Sequence, residues 1–236
     1  MALKTDLAKS TQDIFAIRWE EREPNSILSA DKVSLGGDAI KYDPATILYT
    51  DIDESTKLVA DKSWAFVAEV FKSFLYCSSR LIRHFGGTIT SYDGDRVMGI
   101  FIGGSQSRNA VRCALNINYA KYHIINPAIK SQYPSTDFAL KTVTGVDVGT
   151  IRGVRTGVRG NNDLAWIGRA PNLAAKLTEL SSTHGTWITN SVYNRLSNDE
   201  KKASDGRSMW EERTWTAMDN MPIYRSDFWW DTIRLD

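Results

Sequence analysis

The residues with chemistry in them begin at the end of an apolar run. In Ile47-Leu48-Tyr49-Thr50-Asp51-Ile52-Asp53 the run closes on carboxylates. A strand sends successive side chains to opposite faces, so Leu48, Thr50 and Ile52 point one way while Tyr49, Asp51 and Asp53 point the other. One face can be core and the other can hold a cation. Glu54, Ser55 and Thr56 then open a predicted helix, whose first backbone N–H groups lack intrahelical partners and favour an anion, above all a phosphate. A second stretch, residues 86–101, has two β-rich runs divided by Asp93-Gly94, a hairpin signal that places Asp95 first after the turn. With that hairpin beside the Asp51 strand, Asp51 and Asp95 converge on one or two hard cations. Mg²⁺ or Mn²⁺ suits this oxygen set better than zinc, because no His or Cys lies nearby in sequence.

Amphipathic helices must carry these pieces. Apolar residues at three- and four-residue spacing predict a helix over 55–85, from Trp64 through Phe74 to Phe85, stopped by Gly86-Gly87. A second helix is predicted over 107–125, with Ala110, Ala114, Ile117, Ala120 and Ile124 inward and Pro127 beyond its end. Residues 138–149 return to strand, and 150–160 carry Arg152, Arg155 and Arg159 in what reads as a solvated hairpin rather than a basic arm reaching phosphate. The order strand, helix, hairpin, helix, strand fits an α+β, ferredoxin-like βαββαβ core.

A third segment, Ile167-Gly168-Arg169-Ala170-Pro171-Asn172-Leu173-Ala174-Ala175-Lys176-Leu177, puts Asn172 and Lys176 four apart on one helix face. Together with the Asp51 strand and the Asp95 hairpin, it resembles the motifs of the class III nucleotidyl cyclases over about residues 46–196. The resemblance implies that Asp51, Ile52 through its backbone carbonyl, and Asp95 hold two Mn²⁺ or Mg²⁺ ions. It also implies that Asn172 orients the ribose and that Lys176, where an arginine usually stands, steadies charge on the α-phosphoryl group. It further implies a head-to-tail homodimer with composite active sites, the carboxylates of one chain meeting the Asn and Lys of the other.

Ser91 stands where adenylyl cyclases keep a lysine and Ala165 where they keep an aspartate or threonine, so neither reads a purine in the familiar way. Tyr49 and Arg96, next to the metal carboxylates in sequence, can fill space and bond a smaller base. With Glu54, Ser55 and Thr56 at the phosphates, these complete the expected nucleotide-binding set. The run 47–59, the hairpin and the segment Phe15-Ala16-Ile17-Arg18-Trp19 are similar to the pyrimidine cyclases of bacterial Pycsar anti-phage systems. That likeness implies conversion of UTP, or less often CTP, to a cyclic nucleotide that switches on a separate effector.

A chain of 236 residues with 42% hydrophobic content can bury one sizeable core. The expected division is an N-terminal helical extension over 1–42, a catalytic domain over 43–200 and a Trp-rich extension over 201–236. In the first, residues 3–22 read as an amphipathic helix capping the domain; in the last, the tryptophans are expected to pack back on the domain or on a sister chain. A net charge of +1 calls for neither nucleic acid nor an anionic membrane as partner. Cys77 and Cys113 fit reduced thiols within helices, His84, His123 and His184 have no ligand spacing, and no apolar run approaches the roughly 18 residues of a spanning helix. The expected location is the cytoplasm.

Overall fold

The computed structural model describes residues 2–231. In chain order the elements are α1 (Ala2–Phe15), β1 (Glu20–Arg22), β2 (Asp38–Ile52), α2 (Ser55–Asp61), α3 (Trp64–His84), β3 (Thr88–Asp93), β4 (Arg96–Phe101), α4 (Gln106–Ala120) and α5 (Asn126–Gln132). There follow β5 (Thr142–Val158), β6 (Asn161–Ile167), α6 (Arg169–Leu177), β7 (Thr186–Thr189), two short helical turns α7 (Asn190–Tyr193) and α8 (Asn198–Lys201), β8 (Glu211–Trp215) and β9 (Met221–Ser226).

The sheet runs β3-β4-β2-β5-β7-β9-β8, with β2 antiparallel to both β4 and β5. Its first four strands, with α3 after β2 and α4 after the hairpin, form the expected βαββαβ core. β2 shows the predicted alternation. Leu48 and Ile52 join Phe74, Ile82, Val97 and Leu115 in a core beneath α3 and α4. Ile47 joins Met98, Ile100 and Ile151 on the other face, beneath Ala170 and Ala174 of α6. That second face is thus partly roofed by the chain itself.

The helix expected over 55–85 is two helices. Lys62 is extended, and Ser63 caps α3 by accepting from the Phe66 backbone N–H at 3.4 Å, so the regular apolar spacing belongs to α3 alone. Trp64, placed at the start of α3, is 83% exposed. The helix predicted to end before Pro127 continues past it through a π-type turn, Lys121–Ile125, into α5, whose first turn holds Pro127. The widened turn rotates the face, so Ile125 is buried and Ile124 is not.

At the N-terminus the helix stops at Phe15, and residues 20–22 form a strand parallel to Asp38–Ile40, tied by Arg22 Nε to Asp38 at 2.8 Å. No residue of α1 is buried, so α1 does not cap the domain. At the other end β9 and β8 extend the sheet beyond β7. Trp210 and Trp215 are buried, Trp230 packs on the core, and Trp229 lies against Tyr119 and His123. Both cysteines are free thiols within helices, Cys77 in α3 and Cys113 in α4. Among the described residues no helix is long and apolar enough to cross a membrane.

Candidate active site

β2 delivers Asp51 to the end of its strand on the face that carries Ile47 and Tyr49, and the β3–β4 hairpin delivers Asp95 beside it. The pairing Asp93↔Arg96 leaves Gly94 and Asp95 as the two central residues of the turn, with Gly94 at φ 61. Asp95 therefore sits at the hairpin tip, one position earlier than the Asp93-Gly94 signal placed it. Because Thr50 pairs with Val97, the tip overhangs Asp51.

Burial raises the Asp51 carboxyl to about 6, the neighbouring Asp95 charge pushes the same way, and Arg96 opposes both. Arg96 Nε donates to Asp51 Oδ2 at 3.1 Å, and the Ile52 backbone N–H donates to Asp51 Oδ1 at 3.0 Å. Asp95 Oδ2 is buried without a hydrogen-bond partner. Two carboxylates and one arginine leave a net negative charge in a half-buried place, which a cation would neutralise. The donors are all oxygen, so a hard divalent ion fits them; among the described residues no group of three or more His, Cys, Asp or Glu is arranged for a metal. A site with only two carboxylates leaves coordination positions for water, backbone carbonyl and phosphate oxygens.

Tyr49, Met98 and Ser91 lie in one row across β2, β4 and β3. Burial holds the Tyr49 phenol above its ordinary value, so at neutral pH it keeps its proton; a hydrogen bond from Ser91 and the Arg96 charge act the other way. The Arg96 guanidinium is 6.0 Å from the Tyr49 ring centroid. Tyr49, Ser91, Asp51, Asp95 and Arg96 thus form one cluster. Glu54, Ser55 and Thr56 lie at the entry to α2, three to five residues beyond Asp51, with Glu54 paired to Lys141.

Three expected residues are not in that cluster. Ala165 is on β6, where it pairs with Val154, itself paired with Ala39 at the opposite end of β2. Asn172 and Lys176 are exposed on α6, with Lys176 Nζ 3.8 Å from Met218 Sδ. The helix is pressed onto β5 at Gly145, where an added Cβ would lie 2.2 Å from the Ala174 carbonyl oxygen. Two of the three arginines of the β5–β6 hairpin are engaged elsewhere: Arg152 with Glu21, and Arg155 with Asn162 and the Val33 carbonyl.

Two further residues escaped the sequence reading. Asp147, fully buried on β5 between Gly145 and Gly149, accepts from Thr189 Oγ1 and lies 3.9 Å from Arg169 Nε at the start of α6. A lone carboxylate inside an apolar strand was its only signal. Lys141 depends on strand register, which no local pattern carries.

A scan against protein-family models finds no match. Among solved structures, an adenylyl cyclase from P. aeruginosa is 19% identical with a TM-score of 0.64, covering 83% of this chain and 97% of its own. The guanylate cyclase domain of a Catenaria anguillulae protein, solved in complex with GTP, is 15% identical with a TM-score of 0.64, covering 79% and 97%. The fold is that of class III cyclase catalytic domains. Among curated proteins, the uridylate cyclase of Xanthomonas perforans is 47% identical over 98% of this chain and 99% of its own length. That of Burkholderia cepacia is 45% identical over 98% and 99%, and that of Rhodovulum sp. 41% identical over 97% and 98%. The chain belongs to the uridylate cyclase family.

Proposed function

We propose that this protein converts UTP to 3′,5′-cyclic UMP and pyrophosphate, as a homodimer whose composite sites join Asp51 and Asp95 of one chain to Asn172 and Lys176 of the other. The observation that carries the proposal is the Asp51–Asp95 pair, with a buried, unpartnered Asp95 oxygen, in a chain of this family. The exposure of Asn172 and Lys176 on α6 supports the composite arrangement.

The reaction is an in-line displacement: the ribose 3′-oxygen attacks the α-phosphorus and pyrophosphate leaves. Asp51, Asp95 and the Ile52 carbonyl would hold Mn²⁺ or Mg²⁺, which when bound lowers the pKa of the 3′-hydroxyl and neutralises the pyrophosphate. Asn172 orients the ribose, so that the attacking oxygen approaches in line. Lys176 places a positive point charge against the α-phosphoryl oxygens as charge accumulates there; it lacks the fork of an arginine but not the charge. The side chain of Tyr49, fixed by Ser91 and flanked by Arg96, narrows the base site and presents donors to a small base with carbonyl acceptors. Ser91 and Ala165 offer no purine-reading pair. Release of cyclic UMP as a messenger to a separate effector in anti-phage defence completes the proposal, on the likeness to Pycsar cyclases.

The test is incubation of the purified protein with Mn²⁺ and each of ATP, GTP, CTP and UTP, with products resolved by chromatography and mass. Cyclic UMP from UTP is the expected result. A purine cyclic nucleotide as the sole product contradicts the base reading, and release of nothing from any of the four contradicts the assignment of turnover.

A further inference from the structure

Glu54, expected at the phosphates, is paired with Lys141. Glu54 adopts left-handed backbone geometry, φ 57 and ψ 28, directly before α2. Glycine takes that conformation freely and a residue with a side chain does not, so a glutamate there is retained against local strain. Its carboxylate meets Lys141 Nζ at 3.2 Å. Lys141 is placed by register: the Asp53 backbone N–H donates to the Lys141 carbonyl at 3.0 Å, continuing the pairings Asp51↔Val143 and Ile52↔Thr142. Strand alternation then sets Lys141 on the same face as Asp51, one step farther along the site. The pair lies on the wall of an open groove of about 370 Å³ that Asp53, Lys57 and Phe138 also line. With side chains 52% and 59% exposed, the bond between Glu54 and Lys141 is weak and readily exchanged.

We infer that Lys141 binds the polyphosphate of the incoming nucleotide, and that Glu54 holds it in the free enzyme until the phosphates displace the carboxylate. The inference rests on Asp51 and Asp95 marking the nucleotide site. One charge on Glu54 gives way to several on a triphosphate, whose oxygens form stronger charge-assisted bonds to an ammonium than an exposed carboxylate does. Lys57, on the same groove wall and near enough for its charge to act on Glu54, receives the displaced carboxylate. The flexible stem of lysine suits a ligand that arrives, reacts and leaves.

The test uses the full chain and inorganic tripolyphosphate with Mg²⁺, titrated by calorimetry, because this probe has no base. Lys141→Ala should weaken binding about tenfold or more and Lys141→Arg should restore most of it, as for a hydrogen bond to a charged group. Glu54→Gln, which keeps shape and removes the ion pair, should tighten binding about two- to fivefold. KM for UTP should move in the same directions. Binding by Lys141→Ala equal to wild type, or no tightening in Glu54→Gln, overturns the inference while leaving the active site as assigned. Absence of tripolyphosphate binding in the wild type overturns the site beneath it. A purine as the preferred substrate would defeat the base reading and leave the role of Lys141 standing.

Discussion

Asp51 and Asp95 repel each other where burial removes the water that would damp the repulsion. Asp51→Asn relieves that repulsion and keeps the shape, so turnover should fall at least about a thousandfold while the melting temperature of the metal-free protein holds or rises. A collapse of the circular dichroism melt would instead make Asp51 a structural residue. A second buried ionisable group lies outside the site. Burial lowers the Lys121 ammonium to about 8, the Asp227 charge opposing, and its Nζ donates to Asn118 Oδ1 at 2.8 Å. In the folded state Lys121 loses its proton before the unfolded chain does. Stability of the wild type relative to Lys121→Met should therefore rise as pH climbs from about 8 towards 10.5, by up to about 3 kcal/mol. Chemical denaturation at pH 7.5 and 10 measures it; a flat difference contradicts the burial account. The Asp51–Asp95 meeting was legible because alternation and a hairpin turn are local signals. The bond from Arg96 to Asp51 and the place of Lys141 were not, because each depends on register between segments distant in sequence.

α6 holds Asn172 and Lys176 at a height set by the absence of a side chain at Gly145. Gly145→Ala must push the helix off β5, since the contact is with backbone that cannot turn aside. Activity should drop at least about tenfold and stability by about 1–3 kcal/mol, the range for overpacking. A variant with wild-type rate would show that α6 position does not govern the reaction. The helices were legible from apolar spacing, but their joints were not. The apolar spacing across 55–85 is continuous to the eye, yet the cap at Ser63 divides it. The spacing across 107–125 hides a π turn that carries the helix beyond Pro127. Breaks of this kind come from capping and tertiary packing, which periodicity does not encode.

The whole molecule is one continuous sheet in which β8 and β9 add strands beyond the four that carry the site. The four-strand order was legible from element order alone; the added strands were not, because a Trp-rich tail has no period that distinguishes sheet from loop. At this scale the proposed site needs two chains, the carboxylates of one meeting the exposed Asn172 and Lys176 of the other. Specific activity should accordingly fall on dilution below the dimer constant, as read by initial rates over a concentration series. The most direct measurement mixes two inactive variants, Asp51→Asn and Asn172→Ala, in equal amounts with UTP and Mn²⁺. Random reassortment gives mixed dimers with one intact site each, so cyclic UMP formation should return to about a quarter of the wild-type rate. Mixtures that stay inactive at every ratio, although both variants dimerise, would contradict a site shared between two chains.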